Sequence, residues 1–319
     1  MAVYTEVSFE QAGALAQRLG VGALRSIEPI LAGIENTNYF VTTADGQWVL
    51  TLFERLGAAE LPFYLRLMQH LARRGVPAPQ PRADGGGRLL HHLCGKPAAL
   101  LERLSGRAVM APQATHLSQI GAMLARLHLA AADFAQPQPH PRGLDWWQQT
   151  VPQVLPFLDA ARAQLLCDEL DYQQARYRDP ALPHGVIHAD LFRDNTVFDI
   201  DAGEPVLSGI FDFFFAGVDA WLFDIAVCLN DWCIDASTGR LIEGHAHTFV
   251  AAYETVRPLQ PAERDAMPAM LRAAALRFWL SRLWDLHLPR DAALLRAHDP
   301  GHFERVLRLR RQQPWHPRP

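Results

Sequence analysis

The chain has 319 residues, 49% of them hydrophobic, and a formal net charge of −4. That length allows one large domain or two ordinary ones around a sizeable core, and the absence of a basic stripe or tail argues against a nucleic-acid partner. No apolar stretch reaches the roughly 18–20 residues of a membrane span, the start MAVYTEVSFE lacks a basic region followed by an apolar run, and Cys94, Cys167, Cys228 and Cys233 form no C-x-x-C pair, so the chain reads as a reduced, cytoplasmic protein with its cysteines in the core.

The first hundred residues are strand-rich. SIEPILAG (26–33) and NYFVTT (38–43) are apolar runs separated by a turn at Gly33, and Asp45-Gly46 is a hairpin signal before QWVLTLFER (47–55). Residues 59–74 have helical spacing, ended by Gly75 and two prolines. Residues 88–93 and 97–104 read as a second hairpin turning at Gly95-Lys96. This part is therefore expected to be a small antiparallel sheet with one helix.

From about Ala111 the pattern is helical. Leu117, Ile120, Leu124 and Leu127 line one face of the stretch 117–134, with His128 beside it as a satisfied or solvated helix histidine. QPQPHPRG (136–143) is a loop, helix resumes through 145–178, and a strand-like island spans 185–215. The rest is helical to about Arg311, and QQPWHPRP reads as a frayed tail. The connector Glu102-Arg103-Leu104-Ser105-Gly106 is the natural hinge between a lobe at 1–104 and a lobe at 105–319, and a cleft between lobes is a preferred ligand site. One residue is conspicuous by type: of 30 basic residues only Lys96 is lysine, an accident of arginine-rich coding or a place that needs a compact ammonium.

The island carries the chemistry. HADLFRDN (188–195) places Asp190 and Asn195 on a loop before Thr196-Val197-Phe198, a turn at 201–205 and a second strand ending at Asp212. A hairpin of that length can return Asp212 to Asp190 and Asn195. Asn195 and Asp212 are hard oxygen ligands of the kind Mg²⁺ takes between nucleotide phosphates. Asp190 can orient a hydroxyl and accept its proton, an order of parts that protein kinases use. Other readings exist for the same residues. His184-x3-His188-x-Asp190 is also a transition-metal ligand set of a metal-dependent oxidoreductase, and Asp194-Asn195 also forms turns. The turn reading leaves Asp212 and Asp224 as unexplained acids inside apolar runs.

With GIENTNYFV (33–41), WVLTLFER (48–55), GKPAALLERLSG (95–106), HADLFRDN, FDFFFAG (211–217) and FDIAVCLNDWC (223–233) in this order, the chain resembles the aminoglycoside phosphotransferase and choline kinase superfamily over nearly its whole length, and within it the bacterial homoserine kinases. The resemblance implies an α+β, bilobal, protein-kinase-like fold: a small antiparallel sheet with one helix, then a larger mainly helical lobe with an embedded catalytic hairpin. It implies transfer of phosphate from ATP, with Mg²⁺, to the side-chain hydroxyl of L-homoserine on the route to threonine. By it Asp190 is the base, Asn195 and Asp212 hold Mg²⁺, and Asp224 braces the catalytic loop. His188 reads as a buried residue orienting that loop.

The nucleotide side departs from the kinase pattern. Gly33, Asn36, Thr37 and Asn38 occupy the phosphate-loop position with one glycine. Where kinases carry a phosphate-binding lysine the register gives Thr51. Arg55, read as further along the same strand face, or Lys96 is expected to replace it, with Glu60 a possible partner. Glu102, Arg103 and Leu104 are expected to offer backbone groups to adenine. For the acceptor's carboxylate and amine the candidates are Arg193, Asp231, Trp232, Arg277 and Arg282, with Phe278, Trp279, Trp146 and Trp147 as candidate walls. The stretch from Leu271 onward is rich in arginine, which favours an anionic or zwitterionic acceptor over a polycationic aminoglycoside. A kinase for choline, a sugar or an aminoglycoside, and an inactive nucleotide-binding regulator, are the alternatives.

Overall fold

The computed structural model describes residues 4–31, 36–288 and 298–318. Gly33 lies outside them. The chain divides into two units, Met1–Ser105 with Ser208–Phe211, and Gly106–Leu207 with Asp212–Pro319.

The first unit opens with a helix absent from the sequence reading, α1 (Phe9–Leu19). Its ends are encoded locally. Ser8 and Gln11 form a reciprocal capping box, and Gly20 closes the helix in the left-handed conformation at φ 61°. A five-stranded sheet follows, β1 (Leu24–Pro29), β2 (Thr37–Thr43), β3 (Gln47–Leu52), β4 (His91–Leu93) and β5 (Lys96–Glu102), in the order β1-β2-β3-β5-β4. Every strand pairing is antiparallel. Strand alternation sorts the side chains. Tyr39, Val41, Leu50, Leu52, Ala98 and Leu100 form one face and bury against Ala12, Leu15, Ala16 and Leu19 of α1. Asn38, Thr51 and Ala99, which face one another in register, belong to the other face. Helix α2 (Leu61–Arg73) lies between β3 and β4 in the chain. The β4/β5 turn is Cys94-Gly95, both at positive φ (52° and 75°). Lys96 is therefore the first residue of β5, not a turn residue.

The second unit holds α3 (Ala114–Ala130), α4 (Leu144–Val154), α5 (Ala160–Gln174), α6 (Trp221–Trp232), α7 (Glu243–Glu254), α8 (Pro261–His287) and α9 (Gly301–Gln312). Between α5 and α6 run β6 (His184–Ile187), β7 (Thr196–Asp201), β8 (Glu204–Ile210) and β9 (Gly217–Ala220). β6 pairs with β9 antiparallel, and β7 with β8. The β7/β8 turn is Ala202-Gly203, both left-handed at φ 49° and 88°. Helices α3 and α7 cross at Gly121, where a Cβ would stand 2.3 Å from the Phe249 carbonyl oxygen. Only glycine permits that approach, and it sets His128 of α3 beside Tyr253 of α7. The end of the chain is not frayed: Trp315 is buried against His247, and the Arg264 guanidinium donates to the Arg318 carbonyl. An indole offered an apolar site packs there, even in a proline-rich segment.

Candidate active site

The HADLFRDN loop begins where β6 ends. The Asp224 carboxylate, fully buried in the first turn of α6, accepts from the His188 and Ala189 backbone amides, each at 2.7 Å. These bonds hold Ala189 in the left-handed region at φ 64°, which costs an alanine about 1–2 kcal/mol. His128 Nε2 approaches the same carboxylate at 3.1 Å, and His128 Nδ1 stands 2.9 Å from Tyr253 Oη. Burial alone would raise the Asp224 pKa, but His128 and the backbone donors outweigh it and hold the group below the ordinary carboxylate range. Burial pushes His128 down and the Tyr253 phenol up. Tyr253 therefore keeps its proton and donates it to Nδ1, leaving the Nε2 proton for Asp224. Arg257 extends the chain of contacts, donating to Tyr253 Oη at 3.2 Å and to both oxygens of buried Glu263 at 3.0 and 2.8 Å. His188 is wholly buried against Phe213, and its Nδ1 accepts from the Asp190 amide at 3.2 Å. The His184 ring lies 2.6 Å from the Leu182 carbonyl, and among the described residues no cluster of metal-ligating His, Cys, Asp or Glu side chains occurs. The two-histidine metal site is thus replaced by a buried brace.

Asp190, Asn195 and Asp212 belong to one constellation. The Asn195 amide nitrogen donates to the Asp190 carbonyl at 2.8 Å and to its carboxylate at 3.3 Å, which leaves the Asn195 side-chain oxygen for another partner. Asp212 sits at φ 62°, strained for a residue with a Cβ. Burial raises the Asp190 pKa to about 8. Arg277 opposes the rise, the negative charges of Asp212 and Asp194 add to it, and Asn195 opposes it. Arg277, itself buried, places Nη2 3.7 Å from Asp190 Oδ1. An amide oxygen and a carboxylate are a hard donor pair suited to Mg²⁺, which keeps waters and takes its remaining ligands from phosphates.

The acceptor candidates separate. Arg193 and Asp231 are tied to each other: both the Arg193 backbone and its guanidinium donate to the Asp231 carboxylate, at 2.8, 3.1 and 3.1 Å, and Nη1 donates to the Met110 carbonyl. Trp232 is corrected to a core residue, 1% exposed, whose indole holds the Leu191 carbonyl at 3.0 Å. Trp147 and Trp279 are equally buried and cannot wall a pocket. Arg282 donates to the Asp299 carbonyl and lies over Phe303. Arg277 alone of the acceptor candidates pairs with the Asp190 carboxylate.

In the first unit Thr51 is buried and donates to Asn38 Oδ1 at 2.7 Å, so a neutral hydroxyl–amide pair fills the position of the missing lysine. Strand β3 stops at Leu52, so Arg55 does not continue its face. Lys96 pairs with Glu54 at 3.0 Å, on the face that α1 covers and opposite to Thr51. Glu54 also accepts from Thr5 and Thr37, each at 2.7 Å. Burial would raise its pKa, but Thr5, Thr37 and Lys96 together lower it. Glu60 instead caps the turn before α2, accepting from the Gly57 amide. Asn36 is buried beside Thr37. The Glu102 and Arg103 amides donate to the Gln80 and Gln47 carbonyls, and the Arg103 guanidinium stacks 4.0 Å over Phe40.

A buried aspartate on a braced loop, an amide and a carboxylate beside it, and an antiparallel sheet preceding them in the chain are the parts of a kinase-like phosphotransferase. The model of the phosphotransferase enzyme family matches residues 26–259. The chain is 56% identical to the homoserine kinase of Polaromonas naphthalenivorans (strain CJ2), over 99% of each chain. It is 50% identical to the homoserine kinase of Paraburkholderia phymatum, over 97% of this chain and 98% of that one. Amicoumacin kinase hAmiN, solved in complex with AMP-PNP, Ca2+ and Ami, shares the fold at a TM-score of 0.68 and 17% identity, covering 94% of this chain and 91% of that one. The chain belongs to the homoserine kinases of the phosphotransferase enzyme family.

Residues that sequence reasoning missed are those that act through others. His128 and Tyr253 are 125 positions apart, and only the Gly121 crossing brings them together. Glu54 stood in the quoted strand, but nothing in its neighbours announced Lys96 as a partner.

Proposed function

We propose that the protein transfers the γ-phosphoryl group of ATP to the side-chain hydroxyl of L-homoserine, giving O-phospho-L-homoserine for threonine biosynthesis in the cytoplasm. The observation that carries the reading is the Asp190–Asn195–Asp212 constellation on a loop held by Asp224, in a chain about half identical to homoserine kinases over its full length. Asp190 orients the hydroxyl and accepts its proton as the oxygen attacks the γ-phosphorus. The new P–O bond forms as the bond to the β-phosphate oxygen breaks, and ADP leaves with that electron pair. Asn195 and Asp212 would hold Mg²⁺, which neutralises phosphate charge when bound. Asn36, Asn38 and the segment 102–104 are the proposed nucleotide contacts, and Arg277 an acceptor contact; Thr37 is corrected to a residue of the opposite face, its hydroxyl held by Glu54. His188 holds the Asp190 amide and touches no reacting atom.

The test is ADP release with ATP and Mg²⁺ against homoserine, choline, sugars and aminoglycosides, with Asp190→Asn as control. Homoserine-dependent ADP formation, absent in the control, is expected. Equal turnover of another acceptor, or none with homoserine, refutes the reading.

A further inference from the structure

Arg142 belongs to the proline-rich loop and to none of the acceptor candidates read from sequence. Its guanidinium carbon lies 4.2 Å over the Trp146 ring and 5.7 Å from the centre of Phe215. The Arg277 guanidinium lies 4.9 Å from the same Phe215 ring and reaches Asp190. Phe215 is three residues beyond Asp212. Both arginines thus lie against one ring, and one of them comes within 3.7 Å of the Asp190 carboxylate.

The loop bearing Arg142 is fixed to the strand after Asp212. Pro139 bridges Val218, and the Val218 amide donates to the Gln138 carbonyl at 2.7 Å. His140 Nδ1 stands 2.9 Å from the Asp219 carboxylate, which also accepts from Tyr177 Oη at 2.7 Å. At Gly217 a Cβ would stand 2.6 Å from the His140 Cα, so only glycine lets the loop lie this close to β9. Trp147 Nε1 donates to the Arg142 carbonyl at 2.6 Å. A surface loop need not be held by a buried histidine–carboxylate pair and a glycine contact. One that must present a guanidinium at a set distance from Asp190 needs such anchoring.

We propose that Arg142, with Arg277 against the same Phe215 ring, binds the α-carboxylate of the acceptor, and that the His140–Asp219 pair is a positioning device for it. The inference rests on the homoserine reading and names the side chain that tells an amino acid from an amino alcohol. A guanidinium matches a carboxylate with two parallel N–H donors, and stacking on Trp146 holds its plane. The acceptor is small, so its carboxylate lies within a few bonds of the hydroxyl that faces Asp190.

The experiment is steady-state kinetics of wild type, Arg142→Gln and Arg142→Lys with homoserine and with the amino alcohol left when homoserine lacks its carboxylate. Gln removes the charge and leaves a shorter polar amide beside Trp146, and Lys keeps the charge. Arg142→Gln is expected to raise the homoserine KM roughly tenfold to a hundredfold, leave the ATP KM within about twofold, and abolish the preference of wild type for homoserine over the amino alcohol. Arg142→Lys is expected to recover part of that preference, and Asp219→Asn to weaken it with Arg142 intact. A homoserine KM within about twofold of wild type with the preference retained overturns the proposal, as does a rise confined to the ATP KM, which would assign Arg142 to phosphate. Wild type with no homoserine-dependent ADP release would instead overturn the functional reading beneath it.

Discussion

Asp224→Asn is the sharpest probe of how the catalytic loop is held. The substitution keeps the volume of a fully buried side chain but turns one acceptor oxygen into an NH₂ donor. That carboxylate accepts at 2.7 Å from two amides and at 3.1 Å from His128, so a donor must now face a donor whichever way the amide turns. Each lost bond to the charged group is worth about 1.5–3 kcal/mol. Breaking a buried pair that leaves its partners unsatisfied costs about 3–5 kcal/mol, or roughly 6–20 °C of Tm for a unit of this size. The consequence for rate is separate. Ala189 sits at φ 64°, a strain of about 1–2 kcal/mol, comparable with the single bond that remains. The loop should leave its catalytic geometry for much of the time, lowering kcat by about 10–100-fold with smaller changes in either KM. ADP release measured well below the Tm of the variant reads kcat, and calorimetry reads the Tm. Adding Ala189→Gly, which removes the left-handed penalty, should restore part of kcat but little Tm. A single Asn variant with Tm and kcat close to wild type would refute the brace.

Asp190→Asn should lower kcat by about 10²–10⁴-fold, the usual range for removing a general base, with both KM values little changed; a variant retaining most of its turnover would remove Asp190 from that role. Lys96→Met should leave the ATP KM within about twofold, because Lys96 pairs with Glu54 on the face away from Thr51. A large rise in that KM would return Lys96 to the phosphates. Through His128, acid should destabilise the fold below about pH 6.5. Burial lowers the pKa of His128, so its stabilising contribution is complete above the unfolded value and shrinks as the pH falls past it. Asp224, held low, loses its contribution only further down, through its folded pKa. Asp190, its pKa raised to about 8, contributes the opposite sign over this range, so calorimetric Tm between pH 5 and 8 is read in the Asp190→Asn variant, where a Tm that rises on acidification contradicts the His128 sign. The carboxylate discrimination expected of Arg142 is read by the kinetics described for it.

Local patterns were legible wherever a few neighbouring residues decide the structure. The alternation of NYFVTT and QWVLTL, the Asp45-Gly46 turn and the HADLFRDN loop all appear near where they were read. The missed helix α1 carried its own signature in Ser8, Gln11 and Gly20. The β4/β5 turn was misread by one residue, which moved Lys96 from a turn tip into a strand and so onto a definite face.

By itself the sequence determined most of the elements, the strand-rich part before the mainly helical part, and Asp190, Asn195 and Asp212 as candidates, because hydrogen-bonding and ligand chemistry reside in residue type and short spacing. Only the tertiary structure decided which charges meet. It joined Lys96 to Glu54, Arg193 to Asp231 and His128 to Asp224 and Tyr253, and it set Arg142 and Arg277 against the same Phe215 ring. Pairing across long stretches of chain depends on helix crossings and strand register, such as the Gly121–Phe249 and Gly217–His140 approaches, and no local pattern encodes those distances.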